Sequence, residues 1–308
     1  MVLVRRHPTV LRAIVGIPVF NEAQNIGNLL EAVIRTTSGD PRIEKIVVVS
    51  SSTDTTDTVV KGFSDVDQRV ALVKEEERRG KASAWNMLIQ YAEDKGFDVL
   101  VYMGGDNIPF QNGISRLLDG LENGFGIVGG RPIPIDSPKT FIGWCTNLQW
   151  NIHHQVCKYV KPKVTGELCA FRTKVVREMP PGLINDDTYL ERLFEIRGFN
   201  VGYCENAMVL LKGPATLTDL IRQRRRIYIG HHQIRAYVGQ KPSTIWYSSF
   251  LLIRKALPSR GPRQFIYLAL DIFIQGAVYL IAKLDFYRGS LPYKWSMAET
   301  TKSLQYGI

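Results

Sequence analysis

An α/β fold built on a mostly parallel sheet is predicted by three observations. Short Val- and Ile-rich runs alternate with segments of helical apolar spacing from Arg12 to Met103. Polar residues stand where those runs end: Phe20-Asn21-Glu22, Ser50-Ser51 and Gly104-Gly105-Asp106. No repeat or low-complexity segment interrupts the alternation. Strands joined through helices of this length form right-handed βαβ units, and such sheets bind ligands beyond the C-terminal ends of their strands. All three polar clusters map to that one edge.

Each element has a local reason. Residues 12–20 form a buried strand. Residues 25–36 form a helix with Leu29, Leu30, Val33 and Ile34 on one face. Residues 44–49 are a second strand, and Thr53-Asp54 supplies the N-cap of a helix over 54–63. A strand over 69–74, a helix over 81–94 and a strand over 98–103 complete the alternating half. Beyond Phe110 the pattern loosens. Residues 126–132 and 164–171 read as strands. Residues 141–159 are a helix carrying Trp144, Leu148, Ile152 and Val156 at helical spacing. A helix over 186–198 takes Asn185 or Asp186 as its cap, and a long basic helix runs over 216–239.

The C-terminal segment differs in kind. Residues 265–284 are 20 residues with Asp271, Gln275 and Lys283 as the only strongly polar side chains. That length just spans a bilayer, which takes roughly 20 residues. Asp271 and Gln275, one helical turn apart, make a costly stripe for a lone spanning helix. A second apolar stretch lies at 245–257, and Trp246, Tyr247, Tyr267, Tyr279, Tyr287 and Trp295 are aromatics suited to an interface. The segment reads either as a core helix packed on the rest or as a membrane-seeking tail that spans the bilayer or lies in its surface. The expected division is residues 1–240 and a tail over 241–308.

At 308 residues the chain can bury one large core. A hydrophobic share of 45% against 22% charged residues excludes global disorder. The net charge of +10 is uneven, with Arg222, Arg224, Arg225, Arg226, Arg235, Arg254, Lys255, Arg260 and Arg263 all in the last third. Such a patch suits a diphosphate or anionic lipid. Nucleic acid is not expected, because no recognised nucleic-acid-binding signature accompanies the charge. Cys145, Cys157, Cys169 and Cys204 show no metal-ligand spacing and read as reduced core residues. The short basic N-terminus lacks a hydrophobic signal core, which predicts a cytosolic catalytic part. His153-His154 and His231-His232 are adjacent pairs whose side chains diverge on a helix, so they read as structural.

Taken in order, Ile17-Pro18-Val19-Phe20-Asn21-Glu22, Ser50 to Asp54, Gly80-Lys81 with Asn86, Gly104-Gly105-Asp106-Asn107, Asn185-Asp186-Asp187-Thr188-Tyr189-Leu190 and Gln223-Arg224-Arg225-Arg226 supply acids, a lysine and arginines. These are the groups needed to hold a diphosphate and a metal and to take a proton from a hydroxyl. In this order and spacing, over about residues 12–230, they resemble the family 2 glycosyltransferases. Those are inverting enzymes of the GT-A fold that use a nucleotide-sugar donor, related to the catalytic domains of cellulose and hyaluronan synthases.

The resemblance implies roles residue by residue. Pro18, Phe20, Asn21 and Glu22 match the first nucleotide contact, a carboxylate being able to accept from a ribose hydroxyl or base N–H. Ser51 stands where the family usually has an acid. It reads equally as a base contact and as an ST-turn, and the base identity stays open. Lys81 follows a glycine and matches a phosphate-neutralising lysine. Asp106 falls at the family's DxD metal motif with only one acid kept, which implies Mg²⁺ or Mn²⁺ shared with the diphosphate. Gly166 and Glu167 lie on the acceptor-side strand, where the glycine would let the acceptor sugar approach the backbone. Asp187 matches the general base, with Asp186 as its neighbour. Gln223 and Arg226 match the Gln-x-x-Arg-Trp signature of chain-elongating members, with Ile227 in place of tryptophan, and share a helix face at i, i+3.

The implied activity is inverting transfer of a sugar to a glycan or lipid-linked acceptor at the cytoplasmic face of a membrane. Two rivals compete with it. A nucleotidyltransferase needs a glycine-rich basic loop after the first strand, which Phe20-Asn21-Glu22 is not. An inactive sugar-binding scaffold would explain the lost acids at Ser50, Ser51 and Gly104, but not the retention of Asp106, Asp187, Gln223 and Arg226 together.

Overall fold

The computed structural model describes residues 11–239, 255–257 and 261–291. The basic N-terminal residues before Leu11, Trp246, Tyr247, Arg254, Arg260, Trp295 and most of the 245–257 stretch lie outside the described residues. Strands β1 (Ala13–Val19), β2 (Ile43–Ser50), β3 (Val70–Lys74) and β4 (Val99–Met103) alternate with helices α1 (Ile26–Thr37), α2 (Thr56–Val66) and α3 (Lys81–Asp94). They are followed by β5 (Ile108–Pro109), α4 (Gly113–Glu122), β6 (Ile127–Pro134), α5 (Phe141–Tyr159), β7 (Leu168–Arg172), α6 (Asp186–Ile196), β8 (Val201–Leu211) and α7 (Leu217–Val238). A further helix, α8, runs over Pro262–Tyr287.

The eight strands form one sheet in the order β3-β2-β1-β4-β7-β6-β8-β5. The half made of β3, β2, β1 and β4 is wholly parallel, as the alternation predicts. The other half departs from the expectation: β7 runs antiparallel to both β4 and β6, and β5 is antiparallel to β8. The chain leaves β1 toward β2 and β3, then returns to place β4 on the other side of β1. That reversal opens a crevice at the strand ends, where α/β sheets hold ligands.

Two apolar layers cover the sheet. Ile26, Leu29 and Leu30 of α1, Val60 of α2 and Leu117 and Leu118 of α4 pack on one face. Trp85 and Leu88 of α3 and Leu190 and Phe194 of α6 pack on the other. Trp85 stacks on Tyr102 of β4 with ring centroids 3.5 Å apart.

Several local expectations are corrected. Helix α4 and strands β5 and β8 have no counterpart in the predicted elements. β7 begins at Leu168, four residues later than expected, because the chain turns at Gly166 and Glu167 before the strand starts. The helix at 54–63 starts instead at Thr56, with Thr55 at the N-cap and no side-chain cap bond. Asp54, outside the N-cap position, accepts from the amide of Thr56, the first helical residue, at 3.0 Å and from that of Ala23 at 3.4 Å. At α6 the N-cap is Asn185, one of the two residues expected there, although its side chain makes no capping bond and its Nδ2 donates to α7. Cys145, Cys157 and Cys169 are buried as expected, and Cys204 is half-buried.

Candidate active site

The first wall of the crevice is made by the turn after β1. Asn21 adopts φ 54°, a left-handed conformation that asparagine tolerates better than most residues. Its amide donates to Ser52 Oγ at 2.9 Å, and its Oδ1 accepts from Thr53 N at 2.8 Å. The Glu22 amide donates to Thr56 Oγ1, and Glu22 Oε2 accepts from Asn25 at 2.9 Å. The β1 and β2 ends are thus sewn into one surface. Ser50 is fully buried and forms the ST-turn, its Oγ accepting from Ser52 N at 3.1 Å. The turn anticipated at Ser51 is therefore made one residue earlier, and Ser51 stays half-buried at the surface of the loop. The Arg78 guanidinium lies over the Phe20 ring, 3.9 Å from its centroid. Arg78 had no place in the sequence reading, since a solvated basic run and a stacking arginine look alike there.

The floor comes from the end of β4 and the segment before β7. Asp106 is half-buried. Asn107 is buried and donates to Glu167 Oε2 at 2.7 Å and to the Glu167 carbonyl at 3.2 Å. Burial pushes the Glu167 carboxyl up to about 7, and the nearby Asp106 charge adds to this against the pull of Lys81. Asn107 thus holds the acid beside Asp106. Among the described residues no three Asp, Glu, His or Cys side chains converge on a metal position. The donor set fits a hard cation only if most of its ligands come from a diphosphate and water.

At the centre is an acid–base cluster. Lys81 Nζ lies 3.3 Å from Asp186 Oδ2 and 5.3 Å from the Tyr102 ring centroid. A Cβ on Gly166 would stand 2.6 Å from that Nζ. The position of that absent Cβ is therefore occupied by the ammonium. Burial lowers the Lys81 pKa, but the charges of Asp186, Asp187 and Glu167 outweigh it and leave the pKa raised. Asp187 Oδ2 accepts from the Gly166 amide at 3.0 Å and its Oδ1 from Thr188 N at 2.6 Å. Asp186 is buried and engaged by Lys81, whereas Asp187 is more open.

Helix α7 closes the cluster from behind. Arg226 is buried and donates to the Ile184 carbonyl at 3.2 Å. Burial drops its pKa to about 9, opposed by Asp186 and Asp187. Asn185 Nδ2 donates to the Ile227 carbonyl, and Gln233 bridges Ile184 N and Gly182 O, each at 2.9 Å. The loop that carries the two acids is thus pinned to α7. Gln223 lies half-buried on the same helix. Gln233 went unassigned in the sequence, and Asn185 was read only as a cap, because a polar residue facing a loop looks like one facing solvent. Asn86 serves as a bracket, exchanging two bonds with the backbone of Met179.

This sheet order and cleft are those of the GT-A fold. The solved mannosyltransferase PcManGT from Pyrobaculum calidifontis, in complex with GDP-Man and Mn²⁺, superposes with a TM-score of 0.64 at 20% identity, covering 90% of this chain and 87% of that one. Mannosyl-3-phosphoglycerate synthase from Rubrobacter xylanophilus matches with a TM-score of 0.55 at 16% identity over 77% and 78%. The chain belongs to glycosyl transferase family 2, whose model matches residues 14–179. Among curated relatives, glycosyltransferase AglE of Haloferax volcanii is 31% identical over 115 residues, 37% of either chain. The probable glycosyltransferase YdaM of Bacillus subtilis is 27% identical over 233 residues, 71% of this chain. The matches span 37% and 54% of those relatives' lengths.

Proposed function

We propose that this glycosyltransferase inverts the anomeric centre of a nucleotide-sugar donor, using Asp187 as general base toward the hydroxyl of a glycan or lipid-linked acceptor. The observation that carries this reading is the convergence of Lys81, Asp186, Asp187, Glu167 and Arg226 around one crevice at the strand ends. As the acceptor oxygen attacks the anomeric carbon, its proton passes to Asp187 and the bond to the diphosphate oxygen breaks. The amides of Gly166 and Thr188 orient that carboxylate. Asp186 ties the Lys81 ammonium to the same point, and Arg226 adds a second cation, this one buried, to oppose the charge gathering on the departing diphosphate. Pro18, Phe20, Asn21, Glu22 and Ser51 form the wall assigned to the nucleoside, and Gln223 the α7 side of the donor pocket.

Asp106, backed by Glu167, would hold Mg²⁺ or Mn²⁺, which when bound neutralises diphosphate charge. Residues 1–240 form the catalytic unit in this reading. Residues 241–308 form a membrane-associating tail that places the enzyme at the cytoplasmic face of a membrane. The test is a screen of nucleotide-sugar hydrolysis and transfer with and without Mn²⁺. Turnover of one donor, with release of the opposite anomer, supports the reading, and retention of the anomer would overturn it.

A further inference from the structure

We propose that α8 is an in-plane membrane helix: it lies along the catalytic domain through a polar seam and presents its outer, apolar side to the surface of an anionic bilayer. The proposal rests on the membrane-surface part of the reading above and decides how the surface is met.

The helix is inside-out relative to one in a water-soluble protein. Its amides and acids point inward. Gln264 meets the Trp144 indole, Gln275 accepts from Tyr228 at 2.8 Å and donates to Asp271 at 3.0 Å, and Asp285 pairs with Arg225. The costly stripe that Asp271 and Gln275 make in the sequence is therefore satisfied by the protein itself. Large apolar side chains point outward: Phe265 is 72% and Phe273 74% exposed, with Ile266, Ile272, Leu280 and Leu284 exposed beside them. At about 100° per residue, the exposed arc from Ile272 round to Ile281 covers roughly half the helix circumference. Within it, between Phe265 and Leu284, the one charged residue is Lys283. A monomer rarely leaves so continuous an apolar face in water.

Length does not choose between spanning and lying flat, since α8 rises about 39 Å, enough to cross a hydrocarbon core of about 30 Å. The packing chooses. Contacts with α5 and α7 run from one end of α8 to the other: Tyr267 against Trp144, Tyr279 against Tyr228 at 5.6 Å, and Phe286 against His232 at 5.5 Å. A helix crossing the bilayer would have to carry α5 and α7 with it, including the half-buried Arg224 and the buried Arg226. Lying in the surface requires no such burial.

The occupant follows from shape and charge. A second copy would cover only the narrow stripe that two facing helices share, leaving most of this arc in water. A bilayer covers all of it. Arg263 stands at one end of α8, Lys283 and Arg288 at the other, and the chain is +10 overall, which matches anionic headgroups.

The experiment uses the full chain and vesicles of phosphatidylcholine with or without phosphatidylglycerol. Flotation should show binding that rises at least tenfold with the anionic lipid and falls at least tenfold in Phe273→Glu and in Ile266→Glu. Both positions are exposed, so the variants should melt like the parent and bind donor equally well. Nitroxides placed at positions 266, 273, 280 and 284 should all report one shallow depth, about 5–10 Å below the headgroups. A gradient, deepest at 273 and shallow at both ends, would overturn the in-plane arrangement and leave membrane attachment standing. Vesicle-indifferent protein that dimerises through these positions would assign the face to a second copy. A chain that transfers sugar but neither binds vesicles nor dimerises would sink the docking surface without touching the proposed chemistry.

Discussion

Lys81 and Asp186 meet as a salt bridge of 3.3 Å inside the crevice, and the bare backbone of Gly166 is what admits the ammonium. Gly166→Ala should push a flexible lysine tip rather than a rigid group, so the folding cost stays near 1 kcal/mol or below. Displacing that cation from the acid pair should nevertheless lower transfer about 10- to 100-fold, consistent with lost electrostatic stabilisation. Parallel thermal melts and initial rates check this. A variant that loses stability and activity together would mean the glycine serves packing alone.

Asp187→Asn should abolish proton removal from the acceptor while leaving donor binding intact. A lost general base is worth about 10² to 10⁴ in rate. Donor affinity measured by calorimetry beside single-turnover transfer separates the two effects, and near-normal turnover would move the base elsewhere.

Asp106→Ala should weaken binding of a nucleoside diphosphate in the presence of Mg²⁺ or Mn²⁺ and have little effect in EDTA. Glu167 alone replaces few of the lost ligand oxygens. Titration calorimetry with and without EDTA decides the matter. Metal-independent binding by the parent protein would remove the metal from Asp106.

Gly230→Ala targets the back of the site. A Cβ there would lie 2.4 Å from the Asn185 side chain, which is held between α7 and the acid-bearing loop. The clash should cost about 1–3 kcal/mol and shift Asp186 and Asp187 with it. Adding Asn185→Ala should restore part of the stability. No such recovery would show that the two positions do not press on one another.

Stability should fall as pH drops from about 6.5. Burial pushes the His153 imidazole down to about 3 and that of His231 to about 4. The unfolded chain therefore binds protons that the folded chain refuses, and stability declines from the ordinary histidine pKa toward those depressed values. Each pKa unit is worth about 1.4 kcal/mol, so either histidine can contribute several. Urea melts between pH 4 and 7 should show a shallower slope in His153→Gln. An unchanged slope would place the acid sensitivity elsewhere.

The parallel half of the sheet and its ligand edge were legible because period and polarity are local properties. Val-rich runs ending in Asn21, Ser51 and Asp106 name the edge without any knowledge of packing. The boundaries of α3 and α5 were read correctly, since their apolar spacing is regular. Helix α4 and strand β8 were missed. In β8, Glu205 and Asn206 break the apolar run at the bend where its pairing with β6 shifts register. The N-cap of α2 falls at Thr55 rather than at Thr53-Asp54, whereas that of α6 falls at Asn185, one of the two residues read for it.

By itself the sequence determined which residues carry charge, where strands end and which helix is apolar, since all of these follow from side-chain chemistry along a few neighbouring positions. Only the tertiary structure decided what those groups face. Gly166 meets a lysine tip, Asp186 gives its charge to Lys81, Asn185 is bolted to α7, and α8 turns its polar side inward. The physical reason is that burial and charge pairing depend on distance in space. Residues 85 positions apart, such as Lys81 and Gly166, are placed against each other by the sheet and by nothing local.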